Sequence, residues 1–228
     1  YTVGSIGVEV EGDISRNDVK QLIMLKQGVV YSRQDLVASQ TAIEELLADR
    51  GYAFASVNGV PEQRRDAAIV NFNFIVDPGP YVYIPRINIV GNESTRDEVI
   101  RREIRQLEGA VYSLSKIRRS RERLAKLGFF RDIRIQTPRV SGVIDQVDML
   151  VEVEERSTGN FNFGVGYSGS EKLLLQAEIT RENLFGTGRE LRLTVDHQAL
   201  TTMNDVAYGS HYYTTQGHRN EDSVTRHT

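Results

Sequence analysis

Residues 1–156 carry one pattern twice, and this repetition limits the possible folds more than any other feature. Val8, Val10 and Gly12 recur as Ile87, Ile89 and Gly91, a shift of 79 residues. Gly28, Tyr31 and Ser32 recur as Gly109, Tyr112 and Ser113 at 81. Gly51 and Tyr52 recur as Gly128 and Phe129, and Val70, Phe72, Phe74 and Val76 as Val147, Met149, Val151 and Val153, both at 77. Such drift is expected when insertions fall in loops while packed positions keep their spacing. The pattern predicts domains at 1–80 and 81–156, with a third and different region at 157–228. Two copies of a small domain followed by something unlike either suit an adaptor better than an enzyme.

Each copy reads strand, helix, helix, strand, strand. In copy two, Ile87 and Ile89 alternate with polar neighbours, the period of a half-buried strand. Ser94 or Thr95 is the expected cap of a helix with Glu98 in its first turn. Val99, Ile100, Ile104 and Leu107 would form that helix's apolar stripe, and Gly109 would stop it. A second helix is expected from Ser113 or Ser115 through Ile117, Leu124 and Leu127 to Gly128, followed by strands at 130–136 and 146–154. Copy one matches, with a strand at 6–11, helices at 16–26 and 33–49, and strands at 54–58 and 69–76. A three-stranded sheet has edges that can accept an extended peptide. The candidate edges are Phe54, Ala55, Ser56 and Val57 in copy one, and Asp132, Ile133, Arg134 and Ile135 in copy two. Arg101, Arg105 and Glu108, at i, i+4 and i+7, would share one solvent-facing side of the first helix of copy two.

After Arg156 the alternation lengthens. Phe161, Phe163, Val165 and Tyr167 oppose Asn160, Asn162, Gly164 and Gly166. Beyond an expected Ser-Gly-Ser turn at 168–170, Leu173, Leu175, Ala177 and Ile179 oppose Gln176, Glu178 and Thr180. Asn183 to Gly188 reads as a tight turn, and Leu191, Leu193 and Val195 then oppose Arg192, Thr194 and Asp196. Strands of about 10 residues, greasy on one side only, are the signature of a transmembrane barrel. A soluble sheet with one wet face has the same period. The smallest barrel needs eight strands of about nine residues, so the last region would be only the opening strands of one. The run from Arg219 to Thr228 is too polar for a lipid-facing strand and is expected to be a loop, or segments joined across a gap. The chain opens in a strand-like pattern without an initiator methionine and reads as a piece of a longer one.

Composition removes several classes of chemistry. There is no cysteine, hence no disulfide and no thiolate chemistry. The four histidines (His197, His211, His218 and His227) lack metal-ligand spacing, no nucleophile elbow occurs, and Gly186-Thr187-Gly188 lacks a phosphate loop's lysine. No enzyme activity, metal or cofactor is expected. The net charge of −3 conceals a basic copy two, at +3 against −4 for residues 1–80 and −2 for 157–228. Its helix bearing Arg118, Arg119, Arg121, Arg123 and Lys126 is interrupted by Glu122 and has no interleaved aromatics, so nucleic acid is not an expected partner. A solvated face, or a face near anionic headgroups, remains.

The repeat resembles the polypeptide-transport-associated (POTRA) domain, and the last region resembles the first strands of the barrel in the outer-membrane β-barrel assembly factors. The likeness rests on Gly91-Asn92, on 101–109 (Arg-Arg-Glu-Ile-Arg-Gln-Leu-Glu-Gly), and on Leu127-Gly128-Phe129-Phe130. Asp145 to Asp148, Gly159 to Tyr167, and Asn183 to Gly188 add to it. The resemblance implies tandem α+β POTRA domains (β-α-α-β-β each), followed by antiparallel strands of a partial transmembrane β-barrel. It further implies the last two of five periplasmic domains, a bacterial outer membrane, unfolded β-barrel precursors and membrane lipid as contacts, and accessory outer-membrane lipoproteins docking at Arg101, Arg105 and Glu108. The first barrel strand (Asn160, Phe161, Asn162, Phe163, Gly164, Val165, Gly166, Tyr167) would template incoming strands. Two alternatives share the domain plan: a two-partner-secretion translocator and a soluble tandem peptide-binding module.

Overall fold

A computed structural model describes the chain apart from residues 13, 65–67, 169–171, 199–200, 214–218 and 228; side chains are not described at 64, 168, 172–174, 196–198, 201–213 and 219–227. The Ser-Gly-Ser turn and Leu173's side chain therefore lie outside the description. The chain forms two compact units. One comprises Tyr1–Ile87, Gln106–Ile117 and Thr137–Met149, and the other Asn88–Arg105, Arg118–Gln136 and Leu150–Thr228. Copy two contributes to both.

Copy one is β1 (Thr2–Val10), α1 (Arg16–Gln21), α2 (Arg33–Asp49), β2 (Ser56–Arg64) and β3 (Ile69–Asp77). Strand β3 is central, parallel to β1 and antiparallel to β2. Its alternation is the cause: Val70, Phe72, Phe74 and Val76 are buried while Asn71, Asn73 and Ile75 are not. They join Val19, Leu25, Ile43 and Leu47 in one core, each such side chain contributing roughly 1.5–3 kcal/mol.

Copy two contains β4 (Tyr83–Ile84), β5 (Ile87–Val90), α3 (Asp97–Arg101), β6 (Ala110–Val111), α4 (Leu114–Lys126), β7 (Phe130–Gln136) and β8 (Met149–Glu155). Its sheet has the order β5-β8-β7, with β8 central and Met149, Val151 and Val153 buried. Gly91 is obligatory at the end of β5. Its φ is +86, and a Cβ there would lie 2.0 Å from the Val153 carbonyl oxygen.

Helix α3 departs from expectation at both ends. Arg96, not Ser94 or Thr95, occupies the N-cap, and no side chain caps it. At the other end the helix stops at Arg101 instead of reaching Leu107: the Glu103 and Ile104 N–H groups turn to carbonyls three residues back, and the buried Ser120 hydroxyl of α4 takes the Arg105 N–H at 2.8 Å. Copy one is built alike. Ser39 of α2 takes the Met24 N–H at 2.8 Å, and α1 ends at Gln21. Val99, Ile100 and Ile104 are buried as expected, but Leu107 is 66% exposed. Arg101, Arg105 and Glu108 therefore do not share a helical face.

The last region is an open antiparallel meander of β9 (Gly159–Ser168), β10 (Lys172–Arg181), β11 (Arg189–Gln198), β12 (Thr201–Tyr213) and β13 (Arg219–His227). Residues 219–227, expected as a loop or joined segments, pair with β12 from Asp205↔His227 to Tyr213↔Arg219. Their backbone groups find partners in the neighbouring strand despite polar side chains.

Candidate functional site

Register turns the alternation after Arg156 into one continuous surface. Phe161 stands opposite Ile179 and Ile179 opposite Leu193; Phe163, Ala177 and Val195 form the next row. Phe161, Phe163 and Tyr167 are 67%, 64% and 80% exposed. The reverse face is polar and internally bonded. Asn162 donates to Glu178 at 3.3 Å, and Arg192 pairs with Glu178 at 3.4 Å and Glu190 at 3.1 Å. Water-soluble monomers rarely leave so long an apolar face uncovered.

Strand β9, containing the whole expected templating segment Asn160 to Tyr167, is one edge of this sheet. Its other side, unpaired among the described residues, offers backbone donors and acceptors. Gly164 and Gly166 supply no side chain to pack, which lowers the intrinsic stability of the strand.

The root of β9 is bound to copy two by polar contacts. Glu155, closing β8, accepts the Ser94 and Thr95 backbone N–H groups at 2.9 and 2.7 Å. Burial pushes the Glu155 carboxyl up, but hydrogen bonds from Thr95 and Ser94 outweigh it and hold the group below the usual glutamate range. The turn between β10 and β11 contributes Asn183, buried, whose amide donates to the Thr95 hydroxyl at 2.7 Å while its carbonyl accepts the Gly188 N–H at 2.8 Å. The Arg96 N–H donates to the Gly186 carbonyl at 3.0 Å, and a Cβ on Gly186 would lie 2.0 Å from the Ser94 carbonyl oxygen. Arg156 donates to the Gly128 carbonyl and lies 3.8 Å from Glu182. The Asn183–Gly188 turn thus closes on the loop from Ser94 to Arg96. Sequence reasoning marked the Asn183 to Gly188 turn but not its partner.

The two proposed peptide edges differ. Phe54 and Ala55 precede β2, and Phe54 lies under the Arg139 guanidinium at 3.8 Å. Ser56 and Val57 open β2, an edge strand, but Gln40 and Glu44 of α2 bond the Val57 carbonyl and N–H at 2.9 and 3.3 Å, and Pro61 further along has no N–H. Asp132, Ile133, Arg134 and Ile135 lie on β7, an edge of the second sheet. There Asp132 accepts the Ile133 N–H at 2.9 Å and pairs with Arg134 at 2.9 Å. Arg134, through its side-chain hydrogen bond, lowers the Asp132 pKa.

Of the residues expected to dock a lipoprotein, Arg101 is exposed and pairs with Asp97 at 2.5 Å. Arg105 is half-buried in the loop after α3, and the Glu108 carboxylate accepts the Ile87 N–H at 2.8 Å. A buried ion pair was missed: Arg123 of α4 lies 2.7 Å from Glu103, which is 1% exposed. Arg123 is thus not part of a solvated basic face. The signal was present, because Arg123 sits three residues after buried Ser120 and four before buried Leu127. Among the described residues no group of acidic or histidine side chains could hold a metal ion, and no helix is long and apolar enough to cross a membrane.

Residues 1–79 and 82–156 each match the POTRA family, described as a surface antigen variable number repeat. The outer membrane protein assembly factor BamA of Neisseria meningitidis serogroup B is 33% identical over 213 residues, covering 92% of this chain and 27% of that protein. BamA of Neorickettsia risticii is 32% identical over 202 residues, again covering 27% of its own length. The crystal structure of BamA from Haemophilus ducreyi lacking POTRA domains 1–3 superposes with a TM-score of 0.84 at 32% identity, covering 99% of this chain and 42% of that one. The chain spans about a quarter of the length of the curated relatives it matches.

Proposed function

The chain belongs to the POTRA family, and from that premise we propose that it is the membrane-proximal part of a factor that assembles β-barrel proteins into the bacterial outer membrane. Copies one and two are the periplasmic domains nearest the barrel, and β9 to β13 are the first strands of that barrel. The observation that carries this reading is the apolar face running from Phe161 to Val195 across three paired strands, exposed on one side and backed by a polar face. Ten-residue strands of about 3.3 Å per residue, tilted by roughly 45°, cross about 23 Å, close to the apolar band of such barrels. Its BamA relatives support the same assignment.

The work is done by binding, without catalysis. Edge strand β9, weakened by Gly164 and Gly166, pairs with the incoming strand of an unfolded precursor and is replaced as the new barrel closes. The driving force is burial of lipid-facing side chains together with completion of backbone hydrogen bonds in a medium without water. Extended precursor segments add at Asp132 to Ile135 on β7 or at Phe54 to Val57, and at each edge a side chain must first give way, Asp132 at the Ile133 N–H and Gln40 and Glu44 at Val57. Of the three expected docking residues, Arg101, exposed on α3, is the one that meets an accessory lipoprotein.

Deleting Asn160 to Gly164 from the full-length protein tests the templating step. Porin levels in the outer membrane should fall sharply while copies one and two stay folded; normal levels would remove β9 from the mechanism. For the lipoprotein surface, Arg101→Glu should abolish co-purification of the accessory subunit without changing thermal stability. Undiminished co-purification would disprove that docking site.

A further inference from the structure

At the root of the sheet a cavity of about 400 Å³ opens between the end of β8, the start of β9 and the β10–β11 turn. Thr95, Phe129 and Asn183, all buried, line it together with the guanidinium-bearing Arg156 and Arg181 and the ring of Phe185. Its one carboxylate, Glu155, is already engaged by two backbone N–H groups. Arg156 is offset in part by Glu182 at 3.8 Å, but Arg181 has no ion-pair partner among the described residues, so the lining keeps one uncompensated guanidinium.

Strand alternation places Arg181 on the same face as Ile179, one row beyond the Phe161–Ile179–Leu193 row; its own row is Gly159–Arg181–Leu191. The apolar face therefore ends on a guanidinium. Phe185 adds an independent sign. Its backbone sits at φ 53, ψ 29, in the left-handed region, yet its ring is 81% exposed. That conformation costs an L-residue about 1 kcal/mol or more, and so exposed a ring recovers little of it by packing within the described chain. An aromatic ring held outward beside arginines at the end of a lipid-facing strand is the arrangement found where membrane meets water.

We propose that this cavity seats the phosphate headgroup of a phospholipid from the periplasm-facing leaflet, with Arg181 and Arg156 donating to the phosphate and Phe185 lying against the upper acyl chain. This rests on the barrel reading above. It adds a specific lipid site at the joint between copy two and the sheet, so a bound lipid would brace the root of β9.

The test uses full-length protein in nanodiscs of phosphatidylethanolamine and phosphatidylglycerol, released and weighed by native mass spectrometry. Wild-type protein should retain one phospholipid that Arg181→Gln holds roughly tenfold less well, the scale of one charge-assisted hydrogen bond. Arg181→Lys should retain it in part. Arg192→Gln, on the opposite face, should behave as wild type. Equal retention by the Arg181→Gln and wild-type proteins would overturn the proposal. Displacement of the lipid by excess inorganic phosphate would overturn it too, marking a plain anion site. Heat-modifiable migration of every variant checks the barrel separately. A protein that never inserts would sink both readings, whereas an inserted protein indifferent to Arg181 would sink only this one.

Discussion

Where copy one has Leu22 and Ala42, copy two, at a constant shift of 81 residues, has Glu103 and Arg123. Leu22 packs against the apolar core of copy one; Glu103 and Arg123 form a buried ion pair at 2.7 Å. Around this difference the scaffold is unchanged, for Ser39 and Ser120 perform the same hydrogen bond at the same shift. The serine holds the end of a short first helix against a longer second one and belongs to the fold. The ion pair is particular to the copy that joins the sheet. A repeat can thus keep its backbone plan and change the chemistry of one packed position, a change that is usually no gain in stability over an apolar pair.

Several experiments would break or sharpen that contrast. Glu103→Gln leaves Arg123 buried without its counter-charge, and urea unfolding should show a loss of about 3–5 kcal/mol. Installing copy one's residues, Glu103→Leu with Arg123→Ala, should recover most of it; failure to recover would mean that the pair does more than fill space. Asn183→Ala removes two buried hydrogen bonds and puts alanine at φ 55. A loss of roughly 2–3 kcal/mol should follow, localised by faster hydrogen exchange at Ser94 to Arg96, with no counterpart in copy one. Ser39→Ala and Ser120→Ala should each cost about 1–3 kcal/mol by the same unfolding measurement. Unequal costs would show that the shared serine is not an equivalent device.

The smallest effect concerns pH. Glu155 is held below the free glutamate value, so its stabilisation is complete above about 4.3 and is lost as pH falls through its lower folded value. The Ser94 and Thr95 amide resonances should therefore titrate together with a midpoint below 4.3. A midpoint at or above it would remove Glu155 from the joint.

The repeat, the succession of elements within it and the greasy stripe after Arg156 were legible because each follows from a period, and period survives in a linear chain. Val70 to Val76 and Phe161 to Tyr167 alternate in sequence just as they alternate across their sheets. Helix α3 was misread because Arg105 and Glu108 continue a helical spacing that the Ser120 hydroxyl, 15 residues away from Arg105, interrupts. The blunting of β2 by Gln40 and Glu44 was equally hidden, since both belong to a different element.

The sequence alone determined the duplication, the absence of thiol chemistry, and a final region built of one-sided strands, since composition and periodicity are local properties of the chain. Tertiary structure decided where α3 ends, which carboxylate meets Arg123, and that Asn183 closes on Thr95 across 88 residues. Those outcomes depend on which polar groups lose water together, and loss of water is settled only when distant segments come into contact.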